Sequence, residues 1–152
     1  MSSPAVVRST VAHPHLLLVD DNDLGLQARK AVLEEQGYRV TAVASPRDAL
    51  NRLIDSRFDV IVTDHKLPHM SGVEFITRLR DTKDITPVIL LSGFVDTLGL
   101  DERNTGADVV LQKSSNEISH LCRAVRNLLR RRAVPKPPRS QGPAPKRARK
   151  QA

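Results

Sequence analysis

The chain has one cysteine, Cys122, and no tryptophan. A single thiol excludes an internal disulfide and suits a reducing compartment. Aromatics make up 3% of the 152 residues, so surfaces that stack on bases or flavin rings are scarce. No apolar run approaches the roughly 20 residues that a membrane-crossing helix needs. Met1-Ser2-Ser3-Pro4 has no basic stretch leading into an apolar one, and His13, Pro14 and His15 break the apolar segment that follows. A secretory signal is therefore not expected, and the expected location is cytoplasmic. Acid is missing from one end. From Arg130 onward there are nine Lys or Arg and no Asp or Glu, which leaves residues 1–129 with 15 basic and 17 acidic side chains. The net charge of +7 thus belongs to the C-terminal end, while the rest is mildly acidic.

What is present is an alternation of short apolar runs and helical patterns. Strands are expected at 15–19, 38–43, 58–63, 87–91 and 107–111. Between them, 22–36 reads as a helix stopped by Gly37. Ser45 and Pro46 suit the cap and first position of the next helix, and Ser71 to Glu74 has capping-box spacing. A weak helix starting near Val95 is interrupted by Gly99. Ser114 to Glu117 repeats the capping-box spacing, and Ile118, Leu121, Cys122, Val125, Leu128 and Leu129 then share one helical face. Five strands alternating with five helices imply an α/β fold, a parallel sheet covered on both faces with right-handed crossovers. The strands read as continuous apolar runs because both faces should be buried. Residues 1–14 read as a flexible leader, 15–132 as one domain, and 133–152 as a disordered Pro/Lys/Arg-rich tail.

The ends of the apolar runs carry the chemistry. Asp20-Asp21 follow the first, Asp64 the third, Ser92 the fourth and Lys113 the fifth. In an open parallel sheet these ends converge on one crevice. A carboxylate at the end of a buried strand is costly unless it is paired. Phosphoryl transfer to a carboxylate needs an ionised acceptor, a cation for the phosphoryl oxygens and fixed donors to hold the product. Asp64 supplies the acceptor. Asp20, Asp21 and Asp64, with the backbone carbonyl of Lys66, are hard oxygen ligands of the kind Mg²⁺ takes. Lys113 offers a compact positive charge and Ser92 a hydroxyl donor.

In these residues the chain resembles the receiver domains of two-component response regulators. The stretch from Asp64 to Gly72 is similar to the family's acceptor loop, with Pro68, Met70 and Gly72 in place, and Thr105 to Asp108 to its lead-in to the fifth strand. The resemblance covers roughly residues 15–132. It implies a flavodoxin-like (CheY-like), doubly wound sheet of order 2-1-3-4-5. It implies a phosphoacceptor switch, not an enzyme beyond slow self-dephosphorylation. A histidine kinase or histidine phosphotransfer protein would donate to Asp64 with Mg²⁺ present. Output would pass to a downstream protein on the face of the fourth helix, fifth strand and fifth helix, or by relay of phosphate. Three departures stand out. Val110 occupies the position of a usual aromatic, Ser114 that of a usual proline, and Lys66 and Phe94 flank the path of attacking water.

Other readings attach to the same residues. Any one of Asp20 to Asp23 could cap the first helix, Asp64 could be a turn aspartate, and Lys113 a snorkelling lysine. A haloacid-dehalogenase-like phosphatase could use Asp21 and Asp23, but it would leave Asp64 unexplained. A pseudo-receiver that binds partners without taking phosphate is permitted by the missing aromatic and the missing proline, and the intact five-residue site disfavours it. Cys122 reads as core, and His65 and His69 as exposed loop residues rather than zinc ligands. The tail is a solvated extension in the plain reading; its charge would also suit phosphates of nucleic acid, an anionic membrane or an acidic partner.

Overall fold

The computed structural model describes residues 13–133. Five strands form one parallel sheet of order β2-β1-β3-β4-β5: β1 (His15–Val19), β2 (Arg39–Val43), β3 (Val60–Asp64), β4 (Val88–Ser92) and β5 (Val109–Gln112). The helices are α1 (Asp23–Glu35), α2 (Pro46–Asp55), α3 (Gly72–Asp81), the single-turn α4 (Val95–Leu98) and α5 (Glu102–Thr105), and α6 (Glu117–Ala133). The leader and tail expectations fall almost entirely outside the described residues.

Alternation along the strands divides the core in two. Leu16 and Leu18 of β1 point to one side, with Val62, Ile89 and Leu91, and are covered by Leu26 and Leu33 of α1 and Leu121, Val125 and Leu128 of α6. Leu17 and Val19 point to the other, with Ile61, Val88 and Leu90, under Ala49 of α2 and Phe75, Ile76 and Leu79 of α3. Burial on both faces holds for β1, β3 and β4 alone. Residues Val109, Val110 and Leu111 of β5 are only half-buried, and β2 begins exposed. Both are edge strands, so the apolar run of β5 overstates its burial, while Arg39 and Thr41 already mark β2 as the more polar edge.

The expected stops and starts are largely present. Gly37 sits at φ 98°, the left-handed stop after α1. Ser45 Oγ accepts from Asp48 N at 3.1 Å, with Pro46 in the first turn of α2. Ser71 and Glu74 close a reciprocal box at the start of α3, at 2.9 and 3.1 Å. The box expected at Ser114 does not form. Ser114 Oγ accepts from Asn116 N, and the Glu117 carboxylate is engaged elsewhere. The weak fourth helix is two separate turns, because Gly99 takes φ 67° and ends the first while Asp101 caps the second. No peptide bond among the described residues is cis, the one after Lys113 included.

Gly72 fixes α3 against the strand end that matters most. A Cβ there would stand 2.5 Å from the Asp64 carbonyl oxygen, 2.7 Å from Leu90 Cδ1 and 2.8 Å from His65 Cα. Two of those neighbours are backbone and cannot rotate away. Gly72→Ala should lower unfolding free energy by about 2–4 kcal/mol, as overpacking against a rigid backbone does. Urea denaturation measures it; a loss below about 0.5 kcal/mol would mean that the helix moves aside freely.

Candidate functional site

The register brings the chemical residues to one end of the sheet. Val19 of β1 pairs with Thr63 of β3, Asp64 with Leu91 of β4, and Ser92 with Gln112 of β5. Backbone bonds carry this order past the strand ends: Asp20 N donates to Val43 O at 3.2 Å, His65 N to Leu91 O at 2.8 Å, and Lys113 N to Ser92 O at 2.8 Å. Asp64 and Ser92 are the last residues of their strands rather than the first of the following turns. Their backbones are therefore fixed by the sheet's hydrogen-bonded ladder, which sets where each side chain starts.

Asp20, Asp21, Asp64, Lys66, Ser92 and Lys113 all line one open cleft. One carboxylate oxygen from each of Asp20, Asp21 and Asp64 lies within 4.8 Å of the others. Asp20 and Asp64 are buried, at 3% and 5% exposure, whereas Asp21 faces solvent. Lys113 Nζ is ion-paired with Asp64 Oδ1. Even so, burial pushes the Asp64 carboxyl above its ordinary range; Lys113 opposes the shift and Asp20 adds to it. The Ser92 hydroxyl accepts from Phe94 N at 3.0 Å, which leaves its own proton to donate into the cleft.

Three carboxylate oxygens so close repel one another, and Lys113 with Arg29 offsets only part of that charge. Such a donor set is hard, anionic and partly open to water, which fits Mg²⁺ better than a softer ion. Among the described residues no histidine joins this group. His69 is an exposed loop residue, held at φ 69°. His65 departs from expectation: it is half-buried, with Nδ1 enclosed and unpartnered.

Two residues at the site escaped sequence reasoning. Arg29 of α1 is 7% exposed. Its Nη1 donates to Asp20 Oδ2 at 2.5 Å and its Nε to Glu117 Oε2 at 2.6 Å. The signal for it was a charged residue set between Leu26 and Leu33 in the buried stripe of α1. Gln112 spans from β5 to the loop after β4, donating to Gly93 O at 2.7 Å and accepting from Val95 N at 3.0 Å. Nothing in the pattern of β5 distinguishes it.

A doubly wound sheet with clustered acids at its C-terminal edge, a hydroxyl on one neighbouring strand end and a lysine beyond the next defines a class of signalling modules. Residues 16–126 match the response regulator receiver domain family. The chain belongs to that family. It is 37% identical over 112 residues to the transcriptional regulatory protein AfsQ1 of Streptomyces coelicolor, covering 74% of this chain and 45% of that protein. The chain thus spans about half the length of that relative. The receiver domain of the Francisella response regulator 1452 superposes with a TM-score of 0.73 at 32% identity, over 79% of this chain and 99% of that one. The response regulator TrrA of Thermotoga maritima, solved in complex with Mg²⁺ and BeF, gives 0.68 at 27% identity, over 76% and 99%. Among the described residues no helix is long and apolar enough to cross a membrane.

Proposed function

We propose that the chain is a phosphorylation-driven binding switch in which Asp64 takes a phosphoryl group from a phosphohistidine. The observation that carries this reading is the buried Asp64 carboxylate at a strand end, ion-paired with Lys113 and within 4.8 Å of two further carboxylates. In the reaction a carboxylate oxygen of Asp64 forms the new O–P bond while the P–N bond of the donor breaks. The electron pair of that bond stays on the imidazole nitrogen. Oδ1 is engaged with Lys113, which leaves Oδ2 to attack. Asp20, Asp21, Asp64 and the Lys66 carbonyl would hold Mg²⁺, which when bound offsets charge on the transferring phosphoryl group. Lys113 then moves from the carboxylate to a phosphoryl oxygen, and the Ser92 hydroxyl donates to another.

The donor would be a histidine kinase or a histidine phosphotransfer protein. The expected output face comprises α4, α5, β5 and α6. Its half-buried strand and two single-turn helices suit a surface with two arrangements of similar energy. With Val110 in place of an aromatic, Gln112 is the side chain that ties the loop after Ser92 to β5. It would carry a Ser92 movement into that face.

Incubation of the full chain with acetyl phosphate and Mg²⁺, followed by intact mass spectrometry, tests the reading. One phosphoryl adduct that needs the cation and vanishes on alkaline or hydroxylamine treatment is expected of an acyl phosphate. A folded sample that gains no adduct supports the pseudo-receiver instead.

A further inference from the structure

Arg29 is the one buried basic side chain among the described residues. A guanidinium at 7% exposure would be costly without partners, and it has two. Nη1 meets Asp20 Oδ2 at 2.5 Å and Nε meets Glu117 Oε2 at 2.6 Å. The hydrogen bonds to Glu117 and Asp20 outweigh burial and hold Arg29 more firmly protonated than usual. The remaining Asp20 oxygen, Oδ1, accepts from Asn22 N at 2.9 Å. Both oxygens of this carboxylate therefore already have protein donors. Glu117 is the first residue of α6, so the guanidinium joins the acidic site to the helix on the far side of Lys113.

We propose that Arg29 is a positioning residue that acts as a built-in cation at the carboxylate site, weakening its hold on divalent cations through Asp20, with Glu117 setting how strongly it does so. The inference rests on reading Asp20, Asp21 and Asp64 as a magnesium site. Its basis is charge and geometry. Among the described residues, the ion pairs within this cluster set Arg29 against Asp20 and Glu117 and Lys113 against Asp64, and leave Asp21 without one. A unit positive charge one carboxylate away from a dication, in a partly buried setting, is worth about tenfold or more in affinity after solvent screening. Glu117 draws part of the guanidinium charge away from Asp20. Neutralising Glu117 leaves Arg29 wholly to Asp20, and neutralising Arg29 frees Asp20. The two changes should move cation affinity in opposite directions.

The test is a titration of the full chain with MgCl₂ and with MnCl₂, followed by calorimetry, with no phosphoryl donor present. Circular dichroism establishes that each variant is folded. Arg29→Met should tighten Mg²⁺ binding by about tenfold or more. Arg29→Lys, which keeps the charge, should return it to within about threefold of wild type. Glu117→Gln should weaken it by about three- to tenfold. A residue that merely supported the fold would loosen the site when removed, so the tightening is the decisive sign. Weaker or unchanged binding in Arg29→Met overturns the proposal, as does tighter or unchanged binding in Glu117→Gln. Should Arg29→Met fail to fold, the Glu117→Gln result decides. A wild-type chain that binds neither cation defeats the magnesium reading itself; wild-type binding unaltered by either variant defeats only the role of Arg29.

Discussion

Asp64→Asn protein gains no covalent mass from acetyl phosphate and Mg²⁺, under conditions where the wild-type chain gains one phosphoryl group. The effect is all-or-none because the amide has no anionic oxygen to attack phosphorus, and because its neighbours cannot stand in for it. Both Asp20 oxygens are engaged, by Arg29 Nη1 and Asn22 N. Asp21 is exposed and has no lysine beside it among the described ion pairs, whereas Asp64 has Lys113. The amide is nearly isosteric and relieves a carboxylate that burial disfavours, so the variant should fold. Asp21→Asn removes one cation ligand but not the acceptor, and should slow uptake by at least about tenfold without abolishing it. Intact mass over time separates the cases. An adduct retained in Asp64→Asn and mapped to Asp21 would sink the receiver mechanism and favour the phosphatase reading.

The sheet and the convergence of the strand-end residues were legible because their signals are local. A strand buried on both faces carries an unbroken apolar run, as in residues 16–19 of β1, 60–62 of β3 and 88–91 of β4. Ser45, Ser71 and Gly37 announce helix ends by chemistry that acts within four residues. Acid, hydroxyl and ammonium at successive strand ends converge once the topology is parallel. What escaped depends on partners far along the chain. Arg29 and Glu117 are 88 positions apart. Within its own helix Arg29 stands in the apolar stripe with no local counter-ion to explain it, and Glu117 looks like the closing residue of a capping box. Three-dimensional proximity makes each the other's counter-ion. The same holds for Gln112, whose partners lie 17 and 19 residues away, and for His65, which sequence placed in solvent and the fold half-buries. Edge position is likewise invisible in composition: β5 is as apolar in sequence as β4, but it has a neighbour on one side only.

Saturating Mg²⁺ should stabilise the wild-type chain at pH 7.5, and that increment should shrink on acidification. At about a hundredfold excess over Kd, linkage gives about 2.7 kcal/mol. The pH dependence follows from Asp64, whose carboxyl is raised above its ordinary value of 3.8, chiefly by burial. In the metal-free protein the folded state therefore holds this proton to higher pH than the unfolded chain does. The Asp64 contribution to metal-free stability is fully present below the ordinary carboxylate value and is lost as pH rises through the folded-state pKa. Metal binding needs the ionised form, so its contribution runs the other way, present above that pKa and lost below it. The stabilities with Mg²⁺ and with EDTA should then approach each other on acidification, and the approach should begin at a higher pH than an unshifted carboxylate would give. Taking the difference at each pH removes the titrations that the two conditions share. In Asp64→Asn the increment at pH 7.5 should fall by more than half, because one of three carboxylate ligands is gone while Asp20 and Asp21 remain. Urea denaturation between pH 4.5 and 7.5 measures all four curves. An increment that persists undiminished at the acid end, or that Asp64→Asn retains in full, would mean that the cation is held away from Asp64 and that the acceptor and the metal do not share a site.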